Sequence, residues 1–292
     1  MKRLIAIVLT ACLLSGAVSA SALQAGDARV VVGADLTDAQ VASVYRTFGL
    51  ERGKATELTV SNDEERQYLE GLVDESLIGT RSISCVYVEI LPEGEGLQAE
   101  VSNIGWCTRE MYINALVTAG VSDAKLIVTS PISGISGTAA LTGVYKAYED
   151  MSGEKLDELA KLAGTQELVI TSELAEEIGN YDAVTIVNEL KLILNETRNM
   201  TDAELREKID EIAKEYNVTV SDSLKEQLVK LCRSLEGLGT DELKAKVEQV
   251  QEAVKKMAKA QETATGILQN VRNFAVSVAE FFTNLWNRLR GK

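Results

Sequence analysis

Short runs of β-branched residues alternate with helical apolar spacing over residues 29–150, and the strand signal then nearly vanishes. Arg29–Gly33 and Glu57–Val60 read as the first two strands. Between them, Thr37-x-x-Gln40 is a capping box. It opens a helix that carries Val41, Val44, Tyr45 and Phe48 on one face and stops at Gly49. Ser61-x-x-Glu64 predicts a second helix bearing Tyr68, Leu69 and Leu72. Ser82–Leu91 and Leu97–Ile104 flank the turn-forming Pro92-Glu93-Gly94-Glu95-Gly96 and predict a hairpin. A third helix is expected from Thr108 to Gly120, with Met111, Tyr112, Ala115, Leu116 and Ala119 on one side. An apolar strand at Ala124–Thr129, a Ser/Gly loop and a fourth helix ending near Asp150 follow.

Beyond Gly153 the pattern is helical. Apolar spacing of this kind occupies 154–163, 172–179 and 182–198. A capping box at Thr201-x-x-Glu204 leads into Leu205, Ile209, Ile212 and Tyr216, Asn217–Val220 breaks that helix, and Ser221 caps the next. The final segment repeats every seven residues. Leu243, Val250, Met257, Ala264, Val271, Val278 and Leu285 form one series, and Val247, Val254, Gln261, Leu268, Ala275, Phe282 and Leu289 the other. Such a seam predicts one long coiled-coil-like helix of about 75 Å if unbroken, with Gly266 as a hinge. The expected fold is α+β: a helix-covered sheet over 29–150, a helical bundle over 154–239, and a long amphipathic heptad helix over 240–292.

The first 22 residues carry an address. Lys2 and Arg3 precede an apolar run from Leu4 to Val18, and the pairs Val18/Ala20 and Ala20/Ala22 offer cleavage sites. That order predicts a signal peptide and therefore a secreted or cell-envelope-associated protein. Leu9-Thr10-Ala11-Cys12 is a rival lipoprotein box, although the apolar run continues past Cys12. Losing the leader removes two of 30 basic residues and none of 44 acidic ones, so the exported chain carries −16. A surface that acidic repels phosphate backbones, and nucleic acid is not expected as a partner.

Histidine is absent, which removes imidazole-based nucleophile systems and the H-E-x-x-H zinc proteases. No nucleotide, metal or cofactor motif appears, so no catalytic residue, cofactor or metal ligand is assigned, and the reading leans away from an enzyme. The alternative is a hydrolase using carboxylates alone, for which Asp35, Glu89, Glu100 and Glu110 are the acids nearest the expected sheet. Cys85 and Cys107 flank the predicted hairpin and are a candidate disulfide, while Cys232 sits on an apolar helix face.

Two segments are candidates for binding. In the loop Ser130–Thr138, the residues Ser133, Gly134, Ser136, Gly137 and Thr138 combine hydroxyls with backbone N–H groups at a helix start, a combination that can hold a small anion. In the tail, Ile267, Phe274, Phe281, Phe282 and Trp286 widen the apolar stripe. Arg272, Arg288, Arg290 and Lys292 against Glu280 make residues 266–292 positive by 3. Three covers suit that stripe: a membrane or envelope surface, the bundle itself, or a second copy of the chain.

Three stretches resemble a known group: Gly79-Thr80-Arg81-Ser82-Ile83-Ser84 running into Val86–Ile90, Met111–Gly120, and Ser136-Gly137-Thr138-Ala139-Ala140-Leu141-Thr142-Gly143. They look like the YpuA-like family, exported proteins of Gram-positive bacteria built on a domain of unknown function. The resemblance covers most of the chain after the leader. It implies export and a shared fold, and it transfers no catalytic residue to any position here. The expected function is a non-catalytic binding or assembly protein whose C-terminal helix mediates attachment or oligomerisation.

Overall fold

Val30, Val31 and Val32 are buried on alternate faces of one strand, and this places β1 (Ala28–Gly33) in the interior of a sheet covered on both sides. The computed structural model describes residues 23–73, 75–178, 182–248 and 251. The leader (1–22) and the tail positions Ile267, Phe274, Phe281, Phe282 and Trp286 lie outside them.

The sheet has the order β2-β1-β3-β5-β4, with β2 at Thr56–Val60, β3 at Cys85–Ile90, β4 at Gln98–Val101 and β5 at Ala124–Thr129. β1 pairs parallel with β2 and antiparallel with β3, while β5 pairs antiparallel with β3 and parallel with β4. Val31 faces Val86, which faces Val128, so the middle of the sheet is a β-branched ladder. On one face, α1 (Asp38–Phe48) packs Val41, Val44, Tyr45 and Phe48 against Val30 and Val32. On the other lie α4 (Arg109–Thr118) and α5 (Thr138–Ser152), with α2 (Asn62–Leu69) and the short α3 (Glu75–Ile78) alongside.

The expected hairpin does not form, because β5 lies between β3 and β4. The 91–97 loop steps over it and is pinned to its entrance. Asp123 Oδ1 accepts from the backbone N–H of Gly94 (2.9 Å) and Gly96 (2.8 Å), and Leu91 N–H donates to the Asp123 carbonyl (2.6 Å). Turn composition predicts that the chain reverses, not which strand fills the space beside it.

The candidate disulfide is absent as well. Cys85, Cys107 and Cys232 are all free and buried. Cys85 belongs to the core under α1 and Cys107 to the core under α4 and α5, on opposite faces of the sheet. Cys232 lines the helical core, as its spacing predicts.

The helical half comprises α6 (Glu158–Ile178), α7 (Asp182–Leu192), α8 (Leu194–Thr197), α9 (Asp202–Glu215) and α10 (Asp222–Glu236). α6 is one 21-residue helix where apolar spacing suggests two segments. Its polar middle is buried, and Thr165, Thr171 and Ser172 each donate to a carbonyl one turn back, at Lys161, Glu167 and Leu168. α6 also lies along α4 and so joins the two halves. Between them sits a wholly buried ion pair, Lys191 Nζ to Glu167 Oε1 at 2.8 Å. The Thr118 hydroxyl caps it on Glu167, beside a reciprocal amide pair, Asn114 with Asn188. Residues 240–248 are helical, and Leu243 and Val247 are buried in the bundle core. The tail therefore starts by packing on its own chain. Among the described residues no helix is long and apolar enough to cross a membrane.

Candidate functional site

The carboxyl ends of β1 and β5 and the amino end of β3 meet at one edge of the sheet, where α2, α4 and α5 all begin. Open sheets leave a crevice at such an edge. Here it is a cleft of about 520 Å³, walled by residues 76–81, 83–84, 105–106 and 134–137, with Glu65, Ala139 and Glu176 completing the lining.

Glu65 is placed by its neighbours. The capping box anticipated at Ser61 forms: Ser61 Oγ accepts from Glu64 N–H (3.2 Å), and Glu64 Oε2 accepts from Ser61 N–H (2.8 Å). Glu64 also pairs with Lys146 of α5. One residue further round the helix, Glu65 turns inward and is only 2% exposed. Its Oε1 accepts from the Thr138 hydroxyl, and Asn62 Nδ2 approaches Oε2 at 3.5 Å. The adjacent Arg66 is occupied elsewhere, by Asn62 Oδ1 (3.0 Å), the Gly79 carbonyl (2.8 Å) and Glu75 (2.8 Å). Among the described residues Glu65 thus has no ion-pair partner. Burial pushes its carboxyl up from 4.5 to about 7, against the pull of the Thr138 and Asn62 hydrogen bonds and the Arg66 charge.

The Ser133–Thr138 loop forms another wall. It is stapled to residues 103–107, with Gly134 N–H donating to the Asn103 carbonyl (3.1 Å), Gly105 N–H to Ile135 (2.8 Å) and Cys107 N–H to Ser136 (3.2 Å). Gly137 caps α5 at φ +94°, and Tyr112 Oη donates to its carbonyl at 2.6 Å. Only glycine fits there, because a Cβ would stand 2.5 Å from Tyr112 Oη and 2.6 Å from Ile104 Cγ2.

Of the residues picked from sequence for anion binding, Gly134, Ser136 and Gly137 line the cleft. Thr138 is buried and holds Glu65, with Ser136 Oγ 3.1 Å from its hydroxyl. Ser133 is exposed and donates to Asn103 Oδ1. The start of α5 therefore already faces a carboxyl belonging to the chain.

The acids picked for hydrolysis lie elsewhere. Asp35 accepts from Ser82 N–H, Glu89 from the Tyr87 hydroxyl, Glu100 pairs with Lys125, and Glu110 with Arg109. The acids that do line the cleft, Glu65 and Glu176, escape the reading of the sequence. A signal exists for the first: Glu65 lies four residues before buried Leu69, on the apolar side of α2. Among the described residues no group of three or more Cys, Asp or Glu side chains is placed to hold a metal ion.

Residues 32–257 match the family described as "Protein of unknown function (DUF1002)". The chain belongs to this family. It is 38% identical over 265 residues to the protein recorded as "Uncharacterized protein YpuA" of Bacillus subtilis (strain 168), covering 90% of this chain and 89% of that one. No solved structure matches the chain. In this family member the matched stretch includes every cleft-lining residue and ends before the aromatic positions of the tail.

Proposed function

We propose that the chain is an exported, envelope-associated protein that binds a small ligand in the Glu65 cleft. In this reading it is attached or assembled through the segment that follows Gln251. The observation that carries the binding role is a carboxyl that is 2% exposed, lacks a counter-charge, and lines a cleft of about 520 Å³. Cavities of this size with a few convergent polar groups are the usual form of small-ligand sites. Export rests on the charge, apolar run and small residues of 1–22, and attachment on the aromatic, basic tail. The −16 charge of the exported chain argues against nucleic acid as the partner.

A thermal-shift panel of amino acids, amino sugars, neutral sugars and small carboxylates tests the binding role. A ligand at a hundred times its Kd stabilises by about 2.7 kcal/mol, roughly 5 °C for a chain of this size. Thr80→Trp, at an exposed position on the cleft wall, should abolish the shift. A panel with no effect, or a shift that survives this substitution, refutes the proposal. Cell fractionation of a chain lacking 266–292 tests attachment: an unchanged distribution and an unchanged molecular mass would remove that part.

One observation favours a second reading. Two acids line the same cleft, and one of them titrates near neutrality. Glycosidases work with two carboxyl groups, one of them with a raised pKa, and release of reducing ends from envelope glycans, lost in Glu65→Gln, would establish that role here.

A further inference from the structure

Glu65 raises a question about charge that the protein itself leaves unanswered. A carboxylate withdrawn from water is costly unless a cation or several hydrogen-bond donors replace the lost solvent. The donors on Glu65 are one hydroxyl, from Thr138, and one long contact from Asn62 at 3.5 Å, so Oε2 retains unused acceptor capacity. Arg66 follows Glu65 in sequence but is committed to Asn62, Gly79 and Glu75.

The other charged groups in the cleft are Arg81 and Glu176, both exposed at its walls and neither ion-paired among the described residues. Solvent screens both. The remaining groups around Glu65 do not compensate it: Cys107 and Tyr112 sense its charge, but burial holds their protons, with the thiol pushed up to about 12. Among the described residues, the titratable group buried in the cleft is therefore an acid, and its ionised form has no counter-charge there.

We infer that the cleft takes a small compound bearing a primary ammonium group, seated on the Glu65 carboxylate. This rests on the cleft being the binding site. An ammonium brings the missing charge and three N–H donors together. A carboxylate or phosphate ligand would meet Glu65 as a like charge, and a neutral sugar would supply donors without the charge.

The test is titration of the full chain, followed by amide NMR, with four probes: propylammonium, tetramethylammonium, propionate and N-acetylglucosamine. At pH 8, propylammonium should shift the amides of Ser84, Gly105, Gly137 and Thr138. Tetramethylammonium carries the same charge without N–H donors, so it should bind at least tenfold more weakly. Affinity for propylammonium should fall roughly tenfold from pH 8 to pH 6 as Glu65 takes up its proton. Glu65→Gln should abolish the shifts, and should that variant not fold, the pH profile of the unaltered protein decides.

Cleft shifts from propionate or N-acetylglucosamine without any from propylammonium would overturn the ammonium assignment and leave the binding cleft standing. So would propylammonium shifts that persist in Glu65→Gln or ignore pH. Cleft amides that respond to none of the four would overturn the assignment and the binding role together.

Discussion

Replacing Glu65 by Gln should stabilise the ligand-free protein, by an amount that depends on pH. In the unfolded chain the carboxyl titrates near 4.5, and in the folded chain near 7. Below pH 4.5 both states hold the proton, and Glu65 costs nothing. Between these values the folded state keeps a proton that the unfolded state has released, so stability falls as pH rises. Above pH 7 the full penalty is present, about 3 kcal/mol. Glutamine never ionises, and its carbonyl can still accept from the Thr138 hydroxyl. The stability advantage of Glu65→Gln should therefore be near zero at pH 4.5 and reach about 3 kcal/mol at pH 8, roughly 5–10 °C in Tm. Carboxyls held below their ordinary range, such as Glu57, Glu64 and Glu149, are common to both proteins and cancel in the difference. Urea denaturation of both proteins at half-unit steps from pH 4.5 to pH 8.5 measures it. A gap that does not vary with pH, or a wild type that gains on the variant as pH rises, would refute the account of Glu65 as a desolvated acid.

Lys191→Met should cost about 3–5 kcal/mol, because it strands the Glu167 carboxylate at 0% exposure, and the added substitution Glu167→Leu should recover most of that loss; a double-mutant cycle in urea reads both. Gly137→Ala should lower stability by more than about 2 kcal/mol, since strain at φ +94° is joined by the clash with Tyr112 and Ile104. Gly49→Ala, at φ +69° in open space, should cost only about 1 kcal/mol in the same thermal melts. The thiols of Cys85, Cys107 and Cys232 are buried and pushed up to about 12, so a chain lacking residues 1–22 should not react with a disulfide reagent when native, and should titrate three thiols in guanidinium. A count of one would mean that Cys85 and Cys107 are bridged after all.

Elements that depend on near neighbours are legible in the order of residues alone. Thr37 with Gln40, Ser61 with Glu64 and Thr201 with Glu204 all form reciprocal capping boxes, because each hydrogen bond spans three residues and needs no tertiary partner. Ala124–Thr129 is a strand to the residue, bounded by the Asp123 turn and by Pro131. Ser221 caps its helix as expected, and Cys232 falls on the buried side. The long α6 is harder to see. Its buried Thr165, Glu167, Thr171 and Ser172 interrupt the apolar spacing, and their hydrogen bonds within the helix and to Thr118 and Lys191 appear only after packing.

The site divides in the same way. The Ser133–Thr138 loop stands out for its glycines and hydroxyls, since a turn into a helix start demands them locally. Glu65 does not stand out, because Asn62–Leu69 is rich in charge and nothing within it shows that one acid will lose its water. Its contact with Thr138 spans 73 residues. By itself, then, the amino-acid order determined the α+β division, the capped helix starts at Thr37, Ser61, Thr201 and Ser221, and the span of β5. Only the tertiary structure decided that β5 separates β3 from β4, that Cys85 and Cys107 lie on opposite faces, and that Glu65 is buried against a cleft without a counter-charge. The physical reason is range: caps and turns are settled by groups a few bonds apart, whereas strand order, burial and desolvation belong to segments that meet only when the whole core closes.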